Sequence, residues 1–123
     1  MKLHGEQFFR DLEQDVLRHV LTASTRTIIS LGGGAVSRKE GHTLLKEHTI
    51  IHVTAPQALV YERIMVNGRP AFFGPEENAF EAFKRIWNER KPIYEHLATV
   101  TINNNTSIEE AIKKINYPDI KIL

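Results

Sequence analysis

The 123 residues suffice for one domain with a real core, and 41% hydrophobic with 25% charged residues fits a globular protein in water. A net charge of +1 argues against a dominant nucleic-acid surface, and the lack of cysteine excludes disulfides and thiolate chemistry. No apolar run approaches membrane-spanning length and the first residues are polar rather than signal-like, so the expected location is cytoplasmic, away from any membrane.

The first expected element is a helix over roughly Glu6–Thr22. Phe8, Phe9, Leu12, Val16 and Val20 recur at spacings of three to four and make an apolar stripe. Arg10 and Glu13 are three apart and share a face. As a surface ion pair that contact is worth roughly 0.3–0.5 kcal/mol. The stretch TIISLGGGAV, Thr27–Val36, follows. Its β-branched run predicts a buried strand over Thr27–Leu31 that ends in the glycines Gly32, Gly33 and Gly34. Glycine permits φ > 0 and lets a ligand approach the backbone without meeting a Cβ. In open α/β sheets ligands bind at that edge; a tight connection is the alternative. Ser37 as N-cap and Glu40 as its capping-box partner start a short helix over Arg38–His48. Leu44 and Leu45 turn inward in that helix, and Gly41 argues against it.

Thr49–Thr54 predicts a second strand, with His52 packed or at an edge rather than a ligand. None of the six histidines has a metal-ligand spacing. Pro56 opens a helix carrying Leu59, Val60, Arg63 and Ile64 that ends near Val66. NGRPAFFGP, Asn67–Pro75, breaks the periodicity and reads as a loop able to close on a ligand, with Arg69 either reaching an anion or simply solvated. Glu76–Arg90 is a long helix whose stripe of Phe80, Phe83 and Trp87 reads as core. Pro92 kinks or restarts it. Thr99–Asn103 is a third strand. Ser107 and Glu110 form a capping box before an amphipathic helix with Ile108, Ala111, Ile112 and Ile115, and the tail from Tyr117 carries no signal. Strands alternating with helices predict an α/β fold, a parallel sheet with flanking helices.

Four stretches in this order, GEQFFRDLEQDVL, IISLGGGAV, GRPAFF and RKPIYEHLATVTIN, resemble the shikimate kinase family across nearly the whole chain. That family consists of P-loop kinases that transfer the γ-phosphoryl of ATP to the 3-hydroxyl of shikimate, on the route to chorismate and the aromatic amino acids. The resemblance implies that Arg10, supported by Glu13, and Arg90 grip the substrate carboxylate. Two planar guanidinium forks suit a carboxylate. It implies further that Gly32, Gly33 and Gly34 lie against shikimate, and that Arg69 of the lid, about residues 67–75, contacts the transferring phosphate as the catalytic arginine. Arg63 matches the arginine packed on adenine, and the Asn103–Thr106 turn, with Asn105, falls on the other side of that slot.

Phosphoryl transfer also needs a phosphate cradle and, in the family, ATP with Mg2+. No GxxxxGK[ST] occurs in this sequence, and the family's paired aspartates precede the first helix seen here. Asp11 and Asp15 lie inside that helix and are not assigned as metal ligands. The expectation is therefore a single partial kinase domain over residues 1–123, lacking the first two strands and inactive alone. The alternative is a non-catalytic shikimate-binding or protein-interaction module. In the family's 2-3-1-4-5 sheet, strand one separates the counterparts of Thr27–Leu31 and Thr49–Thr54. Unpaired buried backbone groups cost on the order of 1–3 kcal/mol each. These strands are expected to pair in a changed register, to borrow a strand in an oligomer, or to fold poorly.

Overall fold

The computed structural model describes residues 5–22, 27–70, 73 and 77–115. They form two compact units, one holding the described residues up to His48 and the other those from Thr49 on.

The first unit contains α1 (Gly5–Leu21) and α2 (Lys39–Leu45). The apolar spacing does set α1, but the helix buries Gln14 and Leu17 rather than the stripe. Phe8, Leu12 and Val16 are exposed. Periodicity fixes a helix face; burial also needs a neighbour, and the seven residues of α2 cover only a narrow strip. The N-cap of α2 is Arg38, not Ser37, and its side chain makes no capping bond. Arg38 instead pairs with Asp11 at 2.6 Å and donates to the Gln7 carbonyl at 3.3 Å, tying the start of α2 to α1. A second tie joins Arg18 to Glu40. Leu45 is buried and Leu44 half-buried. Gly41, which argued against a helix, has a packing reason: a Cβ there would lie 2.7 Å from the Ala35 carbonyl oxygen.

Residues 27–31 are not a strand. Ile28 is fully exposed, and Ile29 and Leu31 are exposed as well. A strand exists only as one side of a hydrogen-bonded ladder. The composition of this run is strand-like, but no described strand pairs with it.

The second unit runs β1 (Ile51–Thr54), α3 (Gln57–Met65), α4 (Ala79–Leu97), β2 (Val100–Asn103) and α5 (Ile108–Lys113). β1 and β2 pair in parallel, with Ile51 opposite Val100 and Thr54 opposite Asn103. The ladder is extended by Thr99 N–H to the Ile50 carbonyl at 2.8 Å and Asn104 N–H to the Thr54 carbonyl at 2.6 Å. This is an α/β arrangement, a small parallel sheet with flanking helices.

Asn78 caps α4, its side chain accepting from the Phe80 and Glu81 amides. The helix continues through Pro92 instead of restarting there. Proline removes one donor from the ladder, and the helix keeps its register on both sides of the gap. The core is built on Phe73, Ala82 and Phe83, packed by Val60, Tyr61, Ile64 and Trp87 among others. Tyr61 meets Phe83 and Phe80 edge-on at 5.2 and 5.1 Å, so the aromatic stripe is packing. Ser107 caps α5 by accepting from the Glu110 amide at 3.2 Å. The apolar face of α5 stays open, with Ile108 and Ile112 exposed. The tail from Tyr117 and lid residues 71, 72 and 74–76 lie outside the described residues.

His52 is packed, as expected, with its ring 5.4 Å from that of Tyr94 and Nδ1 buried without a hydrogen-bond partner among the described residues. Burial pushes its pKa below 6.5, the Glu95 carboxylate pulls it partly back, and Lys91 adds to the lowering. A depressed histidine pKa means that the unfolded chain binds the proton more tightly. The contribution of His52 to stability is therefore full above pH 6.5 and is lost as pH falls below that value. Melting temperatures at about pH 8 and about pH 5 should differ more for the parent than for His52→Phe. Equal pH dependence in both would assign the effect to another group.

Candidate functional site

In the first unit α1 presents Arg10 and Glu13 from one face. Arg10 Nη1 lies 2.5 Å from Glu13 Oε1, and Arg10 Nε lies 3.8 Å from Glu6. The Arg10 and Glu13 side chains are only 16% and 18% exposed, so this is not the surface ion pair that spacing alone suggests. The guanidinium also sits 5.0 Å over the Phe9 ring.

The glycine turn lies against this pair. A Cβ at Gly34 would fall 2.5 Å from Arg10 Nη2 and 2.7 Å from Cζ, whereas one at Gly32 would meet Glu13 Oε2 at 3.6 Å, an ordinary contact. Gly33 is exposed. The turn is closed by Ala35 N–H to the Gly32 carbonyl at 3.0 Å and Ser37 N–H to the Gly34 carbonyl at 3.1 Å. None of the three glycines has positive φ; among the described glycines only Gly5 and Gly68 do. Gly34 thus serves close approach, not a left-handed backbone. The result is an oriented guanidinium beside bare backbone. Glu13 fixes its direction, and an arginine fork of this kind takes a carboxylate or phosphate bidentately.

In the second unit Arg63 on α3 donates from Nη1 to the Asn104 carbonyl at 2.8 Å. Arg63 and Asn104, with Val53, Thr54, Ala55, Val60 and Ile64, line a depression of about 250 Å³. Asn105, the side chain singled out from the sequence, is exposed one residue further on and does not line it. Asn104 enters through its backbone, which leaves no mark in the sequence. A second depression, about 400 Å³, lies over the polar side of the sheet beside His52, Trp87, Lys91 and Glu95.

Arg69 is exposed and donates from Nη2 to the Glu77 carbonyl, with its guanidinium 5.8 Å over the Phe73 ring. Phe73 is buried, so this part of the lid rests on the core. Arg90 is half-buried on α4 and forms no ion pair among the described residues, while its neighbour Lys91 pairs with Glu95 at 3.6 Å. The described residues contain no cluster of three His, Cys, Asp or Glu side chains able to hold a metal ion. No described helix is long and apolar enough to cross a membrane.

A family model described as shikimate kinase matches residues 1–117. Among curated proteins, the shikimate kinase of Mycobacterium tuberculosis (strain ATCC 25177 / H37Ra) is 34% identical over 102 residues, 82% of this chain and 56% of its own length. That of Thermobifida fusca (strain YX) is 32% identical over 107 residues, 86% of this chain and 60% of its own. That of Macrococcus caseolyticus (strain JCSC5402) is 28% identical over 115 residues, 92% of this chain and 66% of its own. The chain thus spans a little over half the length of the first of these relatives. The parallel α/β arrangement agrees with the P-loop kinase fold of that family. With the match running over residues 1–117, the chain belongs to the shikimate kinase family.

Proposed function

We propose that this protein is a shikimate kinase in which these residues supply the acceptor side of the site, as part of one kinase domain. The observation that carries the reading is the Arg10 guanidinium, held by Glu13 and laid against Gly34. Shikimate offers what this arrangement recognises, a carboxylate on a compact hydroxylated ring. Arg10 takes the carboxylate through its fork, and the bare backbone of Gly32, Gly33 and Gly34 admits the ring without a side chain in the way. The family motif gives the same carboxylate to Arg90, which has no ion-pair partner among the described residues.

ATP supplies the phosphoryl group: its phosphorus bonds to the shikimate 3-oxygen as the bond to the ADP oxygen breaks, ADP departs, and the hydroxyl proton passes to solvent. The Arg63 and Asn104 depression has the flat cation and carbonyl edge that suit an adenine ring. The described residues do not supply a carboxylate cluster for Mg2+, and the sequence has no GxxxxGK[ST], so no step is assigned to either. Arg69 neutralises charge on the transferring phosphate, leaving its contact with the Glu77 carbonyl to do so. The cytoplasm, where ATP is supplied, is the proposed location.

Calorimetric titration of shikimate into the chain tests the acceptor reading. Saturable binding that cyclohexanecarboxylate competes for only weakly is expected; no binding at millimolar shikimate would refute it. In the active kinase, Arg69→Ala should lower kcat about a hundredfold or more while leaving the acceptor Kd within about threefold. A fall in acceptor affinity alone would remove Arg69 from the phosphoryl side.

A further inference from the structure

Gln14 is a buried polar side chain of the first unit, 3% exposed, on the face of α1 that meets the glycine turn. Its Nε2 donates to the Ala35 carbonyl at 3.0 Å. Its Oε1 is buried with no hydrogen-bond partner among the described residues. An orphaned buried acceptor is a cost that an apolar residue of the same length would avoid. The donor on the other end of the amide therefore has something to do that packing does not.

Arg10 and Gln14 are four apart, one helical turn, and they meet consecutive residues of the turn: Arg10 lies on Gly34 and Gln14 holds Ala35. From the other side, His42 of α2 lies with Nε2 2.7 Å from the Val36 carbonyl, and against a carbonyl oxygen that nitrogen must donate. Two adjacent carbonyls of one turn are thus held by side chains from two helices. Because each peptide is planar, fixing the Ala35 carbonyl also fixes the direction of the Val36 N–H on the opposite side. Gly41 lets α2 come close enough for this, since any side chain there would press on the Ala35 oxygen and the Gln14 amide.

We propose that Gln14 and His42 are positioning residues, a two-point clamp that sets the height of the Gly32–Val36 turn over the Arg10 guanidinium. The inference rests on the reading of Arg10 and the glycines as the acceptor site. It adds that the affinity of the site is controlled from beneath, by residues that never touch the acceptor.

The test uses the full chain, labelled with 15N, and Gln14→Met, which keeps length and volume and removes the N–H. Amide hydrogen exchange at Ala35 and Ser37 should accelerate about tenfold or more, with Leu17 and Arg18 in α1 unchanged. The shikimate Kd should rise about tenfold. Arg18→Gln, which cuts the Arg18–Glu40 tie but leaves the turn alone, should move neither quantity. Uniform acceleration across the unit, no acceleration at the turn, or turn amides that exchange freely in the parent would each overturn the proposal. If the parent does not bind shikimate, the acceptor reading fails and exchange still decides the clamp. If Gln14→Met does not fold, His42→Phe serves in its place. Faster exchange at Ser37 is then expected, and an unchanged rate overturns the clamp.

Discussion

Phe83→Ala is expected to destabilise the second unit by about 3–5 kcal/mol, the range for emptying a buried phenylalanine site. Phe83 is 4% exposed, at the centre of the cluster with Phe73 and Ala82, and its ring lies 5.2 Å from Tyr61 and 5.6 Å from Trp87. Removal leaves a cavity walled by aromatic rings that cannot all collapse into it. Against a typical domain stability of about 5–15 kcal/mol, the loss takes a large share. Phe80 is the natural control. It has the same side chain three residues earlier on the same helix, but it is 42% exposed and meets Tyr61 edge-on. Its alanine variant should cost about 1–2 kcal/mol, since the area it removes from water is smaller. Denaturant unfolding followed by fluorescence reads both variants locally, because Trp87 is the sole tryptophan and touches this cluster. Equal losses for the two variants would mean that α4 is not seated on this core.

What the sequence reveals and what it hides divide along a physical line. Helix positions depend on local spacing and on caps: α1, α3 and α5 lie close to where spacing and Ser107 put them, whereas α4 begins only at Ala79, behind the Asn78 cap, and runs past Arg90 to Leu97. The strands at Ile51–Thr54 and Val100–Asn103 also lie within their expected stretches, each having found a partner in the other. Thr27–Leu31 has the same β-branched composition and no described partner, so its residues remain outside any ladder. Burial shows the same dependence on neighbours. The periodic stripe of α1 is exposed from Phe8 to Val16, while Gln14, which no hydropathy pattern would select, is buried. At the candidate site, the pairing of Arg10 with Glu13 is legible from a spacing of three. The seat of Arg10 on Gly34 and the use of the Asn104 carbonyl are not, because contacts to backbone carry no residue-type signal.

That seat separates Gly34 from Gly32. Arg10→Ala should weaken shikimate binding by about 2–5 kcal/mol, since it removes a charged partner and leaves the Glu13 carboxylate largely buried without its guanidinium. Gly34→Ala should act in the same direction without touching a charge. The new Cβ would overlap the guanidinium at 2.5 Å, and Arg10, the flexible party, must swing off the turn. A displacement of that size at a bidentate contact is expected to cost about ten- to a hundredfold in affinity, roughly 1.4–2.8 kcal/mol. The fold should lose less, because only the far end of a side chain moves. Gly32→Ala places its Cβ 3.6 Å from Glu13 Oε2, a distance at which nothing has to shift, so Arg10 should keep its place and affinity should fall by less than about threefold. Isothermal titration of the three variants with shikimate, beside their melting temperatures, decides between two accounts of the triplet. Affinity that falls at Gly34 and holds at Gly32 means that the glycine is there to seat the arginine. Equal losses at both mean that the ligand itself needs the bare backbone along the whole turn, and that the contact between Arg10 and Gly34 is incidental to recognition.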